Sequence, residues 1–206
     1  NEGSEFTMSG GTLTIVRGGG TTYGDLYLRP ASGSVTGGTV IFSQSPAGGT
    51  LIDATQSYLL DANTPLNNLT VTGKTAGTNR NADLSLMISP LVVNGSLTLT
   101  NDRSSLSSNN RNITIKGNMV NNGTYSHGTN LTLFDGGTQT ISGTSVTDFY
   151  DLEVSPVTSL TTSGSFTVNR NLNIVSGNLV LGSGLLTIWV ICQTTEPILM
   201  ITQPVA

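Results

Sequence analysis

Residues 93–116 read VNGSLTLTNDRSSLSSNNRNITIK and residues 168–188 read VNRNLNIVSGNLVLGSGLLTI. Laid side by side, they keep their apolar positions in step at a nearly constant offset: Leu97 falls on Leu172, Leu106 on Leu179 and Ile113 on Leu186. A second pairing links 39–42 and 66–71 to 131–134 and 149–154. Self-similarity at a long period is the signature of a stacked architecture. Within it the aliphatic centres Leu97, Ile113, Leu131, Leu152 and Leu172 recur at near-even spacing, close to the length of one coil of a parallel β-helix. The expected fold is therefore an all-β solenoid over residues 1–188, with long repeats at 12–72, 93–155 and 168–188. A β-sandwich is the alternative, because closely and regularly spaced turns also suit that fold.

The local pattern agrees. Apolar and polar residues alternate in short runs ended by Gly, Asn or Ser, as in 12–15, 68–72, 96–100, 112–116, 130–133 and 151–154. No segment carries the i, i+3, i+4, i+7 stripe of an amphipathic helix, so almost no helix is expected. Alternation predicts an interior lined by Leu13, Val40, Leu69, Leu97, Ile113, Leu131, Ile141, Leu152 and Leu172, where an Asp in place of Leu131 or Leu152 would cost several kcal/mol. Asn67, Asn68, Asn109, Asn110, Asn121 and Asn122 are expected to form turn ladders, because asparagine tolerates left-handed backbone and its amide can bond both to local backbone and to an identical amide one coil away.

Composition narrows the function. The 206 residues include 32 Thr, 25 Gly, 23 Ser and 19 Asn, with 36% hydrophobic and only 10% charged residues. That supports a folded core, strands and turns. A net charge of −4, with eight Lys and Arg in all, excludes a nucleic-acid binder held by phosphate charge and offers no polybasic membrane patch. No apolar run reaches the roughly 20 residues of a membrane span, and the first residues lack the features of a signal peptide, which is expected to lie upstream or to have been removed.

Candidate chemistry is sparse. His127 is the sole histidine and lies in a Gly/Asn/Ser turn without a G-x-S-x-G elbow, which predicts an exposed turn residue. One histidine and one cysteine, Cys192, cannot supply a zinc site, and no motif calls for a metal or cofactor. The alternative is a polysaccharide-binding or polysaccharide-cleaving β-helix, and if it cleaves, its acid and base would come from Asp135, Asp148, Asp151 and Glu153, with Asp151 and Glu153 sharing an outer face. Asn68 and Thr70 occupy the matching places in the earlier strand, so neutral groups serve there too. The Thr-x-Thr strands, Thr12/Thr14, Thr70/Thr72, Thr98/Thr100 and Thr138/Thr140, raise ice binding by a flat hydroxyl array, although threonine is also simply a good outward strand residue.

The segments GNMVNNGTYSHGTNLTLFDGGTQTISGTSVTDFYDLEV (117–154) and SFTVNRNLNIVSGNLVLGSGLLTI (165–188) resemble the β-helical tandem repeats of large secreted or surface adhesin-like proteins of Bacteroidota, often exported by the type IX route. The resemblance covers most of 93–188, extends loosely to 12–72, and does not include 43–66 or 73–90. It implies a right-handed β-helix serving as a stalk or adhesive module, secreted or at the bacterial cell surface, with an unidentified surface ligand or glycan as partner and no catalytic residue.

The stretch 189–206, WVICQTTEPILMITQPVA, holds the only Trp and Cys and no Gly or Asn. Read two bases later, codons for this stretch permit GNMSNNGTYSH, which differs from residues 117–127 at one position. Residues 189–206 are thus expected to be an out-of-frame translation of the next repeat. Uncapped β-helix ends expose strand edges, so end-to-end self-association, or cover by Ile198, Leu199, Met200 and Ile201, is also expected.

Overall fold

The computed structural model describes residues 3–43, 55–74, 81–156 and 158–189, which contain no helix. The chain begins with β1 (Glu5–Ile15), β2 (Leu26–Leu28), β3 (Ser32–Ser43), β4 (Gln56–Ala62), β5 (Asn68–Thr72) and β6 (Ala82–Leu86), which alternate between two sheets. At β7 (Leu91–Val93) a third sheet joins, and β8 (Leu97–Leu99), β9 (Ser104–Ser107), β10 (Ile113–Ile115), β11 (Met119–Asn121) and β12 (Thr124–Ser126) visit the three in turn. After β13 (Leu131–Phe134) come β14 (Thr138–Ser142), β15 (Thr147–Val154), β16 (Ser159–Thr162), β17 (Phe166–Ile174), β18 (Asn178–Leu181) and β19 (Leu186–Ile188), alternating between the first and third sheets.

Among the described residues every strand pairing is parallel and joins a strand to its counterpart one coil away. That is a parallel β-helix; a sandwich of antiparallel sheets is ruled out. The first sheet carries the inward column Leu13, Val40, Leu69, Leu97, Met119, Ile141, Thr162 and Leu181, each in register with the next. The third carries Leu91, Ile113, Thr132, Leu152 and Leu172. A fully buried aliphatic side chain contributes about 1.5–3 kcal/mol, and the columns place such side chains against each other over the length of the stack.

Four expectations need correction. Leu97 lies on the first sheet, whereas Ile113, Leu131, Leu152 and Leu172 lie on strands of the third, so the spacing from Leu97 to Ile113 is a step between faces. For the same reason the alignments that set Leu97 on Leu172, Leu106 on Leu179, and β3 and β5 against β13 and β15 cross from one sheet to another. Strands on all faces are short alternations of a polar residue with an aliphatic or aromatic one, so sequence matching finds their spacing without fixing the face. The coil is also longer at the start, where Val40 pairs with Leu69, than in the middle, where Leu97 pairs with Met119.

The second correction is Leu131. In β13 the buried side chains are Thr132 and Phe134, while Leu131 and Leu133 are half-buried on the outer face. Phe134, the bulkiest residue of the strand, packs edge-on against Phe149 at 6.2 Å, and the two-residue period then turns Thr132 inward and Leu131 outward. Thr132 has a use inside, because its Oγ1 lies 2.7 Å from the Tyr125 hydroxyl, which also accepts from Asn130 Nδ2 at 3.1 Å. Burial pushes the Tyr125 hydroxyl pKa up in spite of these bonds. Third, Leu13 points toward Val40 but is 37% exposed and Leu172 is half-buried, because the coils near the ends are covered on one side only.

Fourth, the asparagines join coils through backbone, not through amide-to-amide ladders. Asn67 and Asn68 both donate to the Gly38 carbonyl, Asn68 Oδ1 accepts from Ser96 N, and Asn122 Oδ1 accepts from Thr144 N. Asn109 and Asn110 adopt the left-handed conformation expected of them, with φ of 48° and 63°. Residues 190–206, with Cys192 and the run 198–201, lie outside the described residues.

The second sheet ends at β12. Beyond it β15 packs beside β12, with Phe149 5.8 Å from Tyr125, and its pairing with β17 is interrupted by a bulge where Tyr150 faces both Asn169 and Arg170.

Candidate functional site

On β15, Asp151 and Glu153 flank the inward Leu152 and emerge on the same outer face. They edge a shallow depression of about 400 Å³ together with Leu131, Asn171 and Asn173. The bulge sets Arg170 beside Asp151, and the guanidinium forks onto the carboxylate: Nε donates to Oδ1 at 2.7 Å and the second nitrogen to Oδ2. Asn171 Nδ2 adds a bond to Oδ1 at 3.0 Å, and Asn173 Nδ2 donates to Glu153 at 3.0 Å. The hydrogen bond to Asp151 holds the Arg170 pKa above its ordinary value. Asp148 stands exposed on the other side of the bulge, and Asp135 is exposed in the turn after β13. Of the four carboxylates picked from sequence, the structure brings Asp151 and Glu153 to one depression, and each is already engaged by the next coil.

His127 is more than an exposed turn residue. Its ring stacks on Tyr150, with centroids 6.0 Å apart and planes within 27°, and Nε2 lies 3.1 Å from Asn169 Nδ2. The Arg170 guanidinium lies over the same Tyr150 ring at 4.7 Å. His127, Tyr150 and Arg170 thus form a column of flat side chains across three successive coils. Local pattern singles out neither Arg170 nor Tyr150. The signal that could have found them is spacing, since Arg170 follows Asp151 by one coil of the later type.

The threonines form a smaller array than their number suggests. Thr70 is in register with Thr98, which places Thr72 opposite Thr100, a grid of two by two. On one side it meets Ile41 and Ser43, on the other Val120 and Asn122. Thr12 and Thr14 face Thr39 and Ile41, and Thr138 and Thr140 face Ser159 and Thr161. The Thr100 hydroxyl is sealed from solvent. Hydroxyls therefore do not repeat along any column for more than a few coils.

A second cluster lies on the early coils. Arg29 Nε donates to Asp61 Oδ2 at 2.8 Å, its terminal nitrogen donates to Ser89 Oγ at 3.0 Å, and Ser89 N donates to Asp61 Oδ1 at 3.0 Å. Burial raises the Asp61 pKa, but the hydrogen bonds from Arg29 and Ser89 outweigh it and hold the carboxyl below the usual aspartate value. Tyr27 packs against this guanidinium at 5.7 Å and against Tyr23 at 5.2 Å.

Among the described residues, no three His, Cys, Asp or Glu side chains converge as metal ligands, and no helix is long and apolar enough to cross a membrane. No family model, curated protein or solved structure matches the chain.

Proposed function

We propose that this chain is a non-enzymatic structural and adhesive segment of a larger secreted or cell-surface bacterial protein, as the adhesin-like resemblance of 117–188 implies. The observation that supports this reading is the direction of the outer polar groups. Arg170 and Asp151, Asn173 and Glu153, Arg29 and Asp61, and Ser105 and Asp83 each bond from one coil to the next along the axis. A catalytic groove needs an acid and a base aimed at the same reacting atom. Here the carboxylates of the depression on β15 hold neighbouring coils together, and the interior columns are continuous, which suits a part that bears load and presents a surface.

The test is adhesion without turnover. Beads coated with the chain are expected to adhere to surfaces bearing soluble polysaccharides, while the same polymers incubated with the protein release no reducing ends and no unsaturated sugars. Release that disappears in Asp151→Asn would establish the polysaccharide-cleaving alternative instead.

A further inference from the structure

We infer that His127 is a pH-sensitive clasp between coils: it is held as the neutral ring with its proton on Nδ1, and taking up a second proton on Nε2 breaks its bond to Asn169.

The tautomer follows from what each ring nitrogen meets. Nδ1 lies against the Gly128 carbonyl, which can only accept, so Nδ1 carries a proton. Nε2 lies 3.1 Å from Asn169 Nδ2. The orientation of that amide is set by a second bond, because the same Nδ2 donates to the Phe149 carbonyl at 3.1 Å; turned around, the amide would set its oxygen against that carbonyl. Nε2 therefore accepts from Asn169, and it can accept only while it is bare.

The clasp reaches over a coil. His127 follows β12 and Asn169 lies on β17, while Tyr150, whose ring stacks on the imidazole, belongs to β15 of the coil between. The turn that carries the ring is itself held. Ser108 Oγ donates to the His127 carbonyl, and Gly128 has φ +62°, where a Cβ would lie 2.4 Å from Asn110 Oδ1. Protonation of Nε2 sets two donors face to face across this junction, so the bond is lost.

The surrounding charges do not replace it. An aromatic face attracts a cation, but the Arg170 guanidinium already lies over the Tyr150 ring at 4.7 Å, and an imidazolium would be the second positive group on it. Asp151 is already forked by Arg170, and Asp148 is exposed, where water and salt screen it. On the coil before, Arg111 is turned to the Met87 carbonyl and has the wrong sign. Imidazoles ordinarily charge between pH 5 and 8. The unfolded chain takes up this proton freely, whereas the folded chain must give up the Asn169 bond to do so. The unfolded state thus binds more protons as the pH falls, and stability is lost toward acid.

His127 is the sole histidine, so its ring can be read directly in the full chain labelled with nitrogen-15 at histidine. At pH 8 the long-range proton–nitrogen spectrum is expected to show Nδ1 protonated and Nε2 bare. Between pH 8 and pH 5 the melting temperature of the parent should fall by about 2–4 °C more than that of His127→Gln, the effect of one hydrogen bond in a chain of this length. Asn169→Asp, whose carboxylate would accept from a protonated Nε2, should reverse the trend and gain on the parent as the pH falls. A proton on Nε2 at pH 8 overturns the proposal. So does a parent whose pH dependence equals that of His127→Gln, or an Asn169→Asp chain that follows the parent.

Discussion

Asp61 is 1% exposed and still pairs as a charged group, because every side of its carboxylate is met: Arg29 on one oxygen, the Ser89 backbone on the other. Its pKa in the folded chain lies below the unfolded value of about 3.9. The stability it contributes is therefore complete above that value and lost as pH falls through the lower, folded one. Asp61→Asn should destabilise by about 1–3 kcal/mol at pH 7. The gap to the parent chain should narrow in urea titrations carried below pH 4; a gap of constant size would show that the charge does not matter. The interior assignment is tested the same way. Leu152→Ala, which removes a fully buried side chain, should cost about 2–5 kcal/mol, and Leu131→Ala, on the outer face, less than half as much. Equal costs would put Leu131 back inside.

Strands are set by what lies between them as much as by their own residues. Gly143 follows β14 with φ +126°, and a Cβ there would stand 2.1 Å from the Asn121 carbonyl oxygen of the previous coil. Gly143→Ala combines backbone strain of about 1–3 kcal/mol with that collision, so its melting temperature should fall well below that of Gly137→Ala, where a Cβ meets nothing. Individual strands were legible from alternation: β5 and β10 lie inside the runs 68–72 and 112–116. Their faces were not. Thr-aliphatic alternation is equally suited to each sheet, so nothing in Leu97 or Ile113 says that the chain turns a corner between them. The phase of β13 depended on a distant residue, Phe149, whose ring draws Phe134 inward. Candidate residues followed the same division. Alternation sufficed to place Asp151 and Glu153 on one outer face, but finding Arg170 on Asp151, or Arg29 on Asp61, required knowing the coil length. That length shortens along the stack, from the step between Val40 and Leu69 to the step between Leu160 and Leu179.

At the scale of the molecule, each coil touches chiefly the one before and the one after, so stability should be distributed as in a one-dimensional array, a sum of coils and interfaces. The ends are weaker by construction. Most of β1 is exposed and β19 is half-buried throughout, whereas β5, β8 and β10 each bury every inward residue. Amide hydrogen exchange should accordingly be slowest from β5 to β15 and should quicken toward β1 and β19. Because openings spread through neighbouring interfaces, Leu99→Ala in β8 should speed exchange most in β5 and β11, the strands paired to it on either side. Protection in β18 should change much less. If a single rate governs all slow amides in the parent chain and in Leu99→Ala alike, the coils unfold as one cooperative unit. The interior aromatic cluster of Tyr125, Phe134, Phe149 and Phe166 would then be the natural origin of that cooperativity, since it joins successive coils across the point where the second sheet ends.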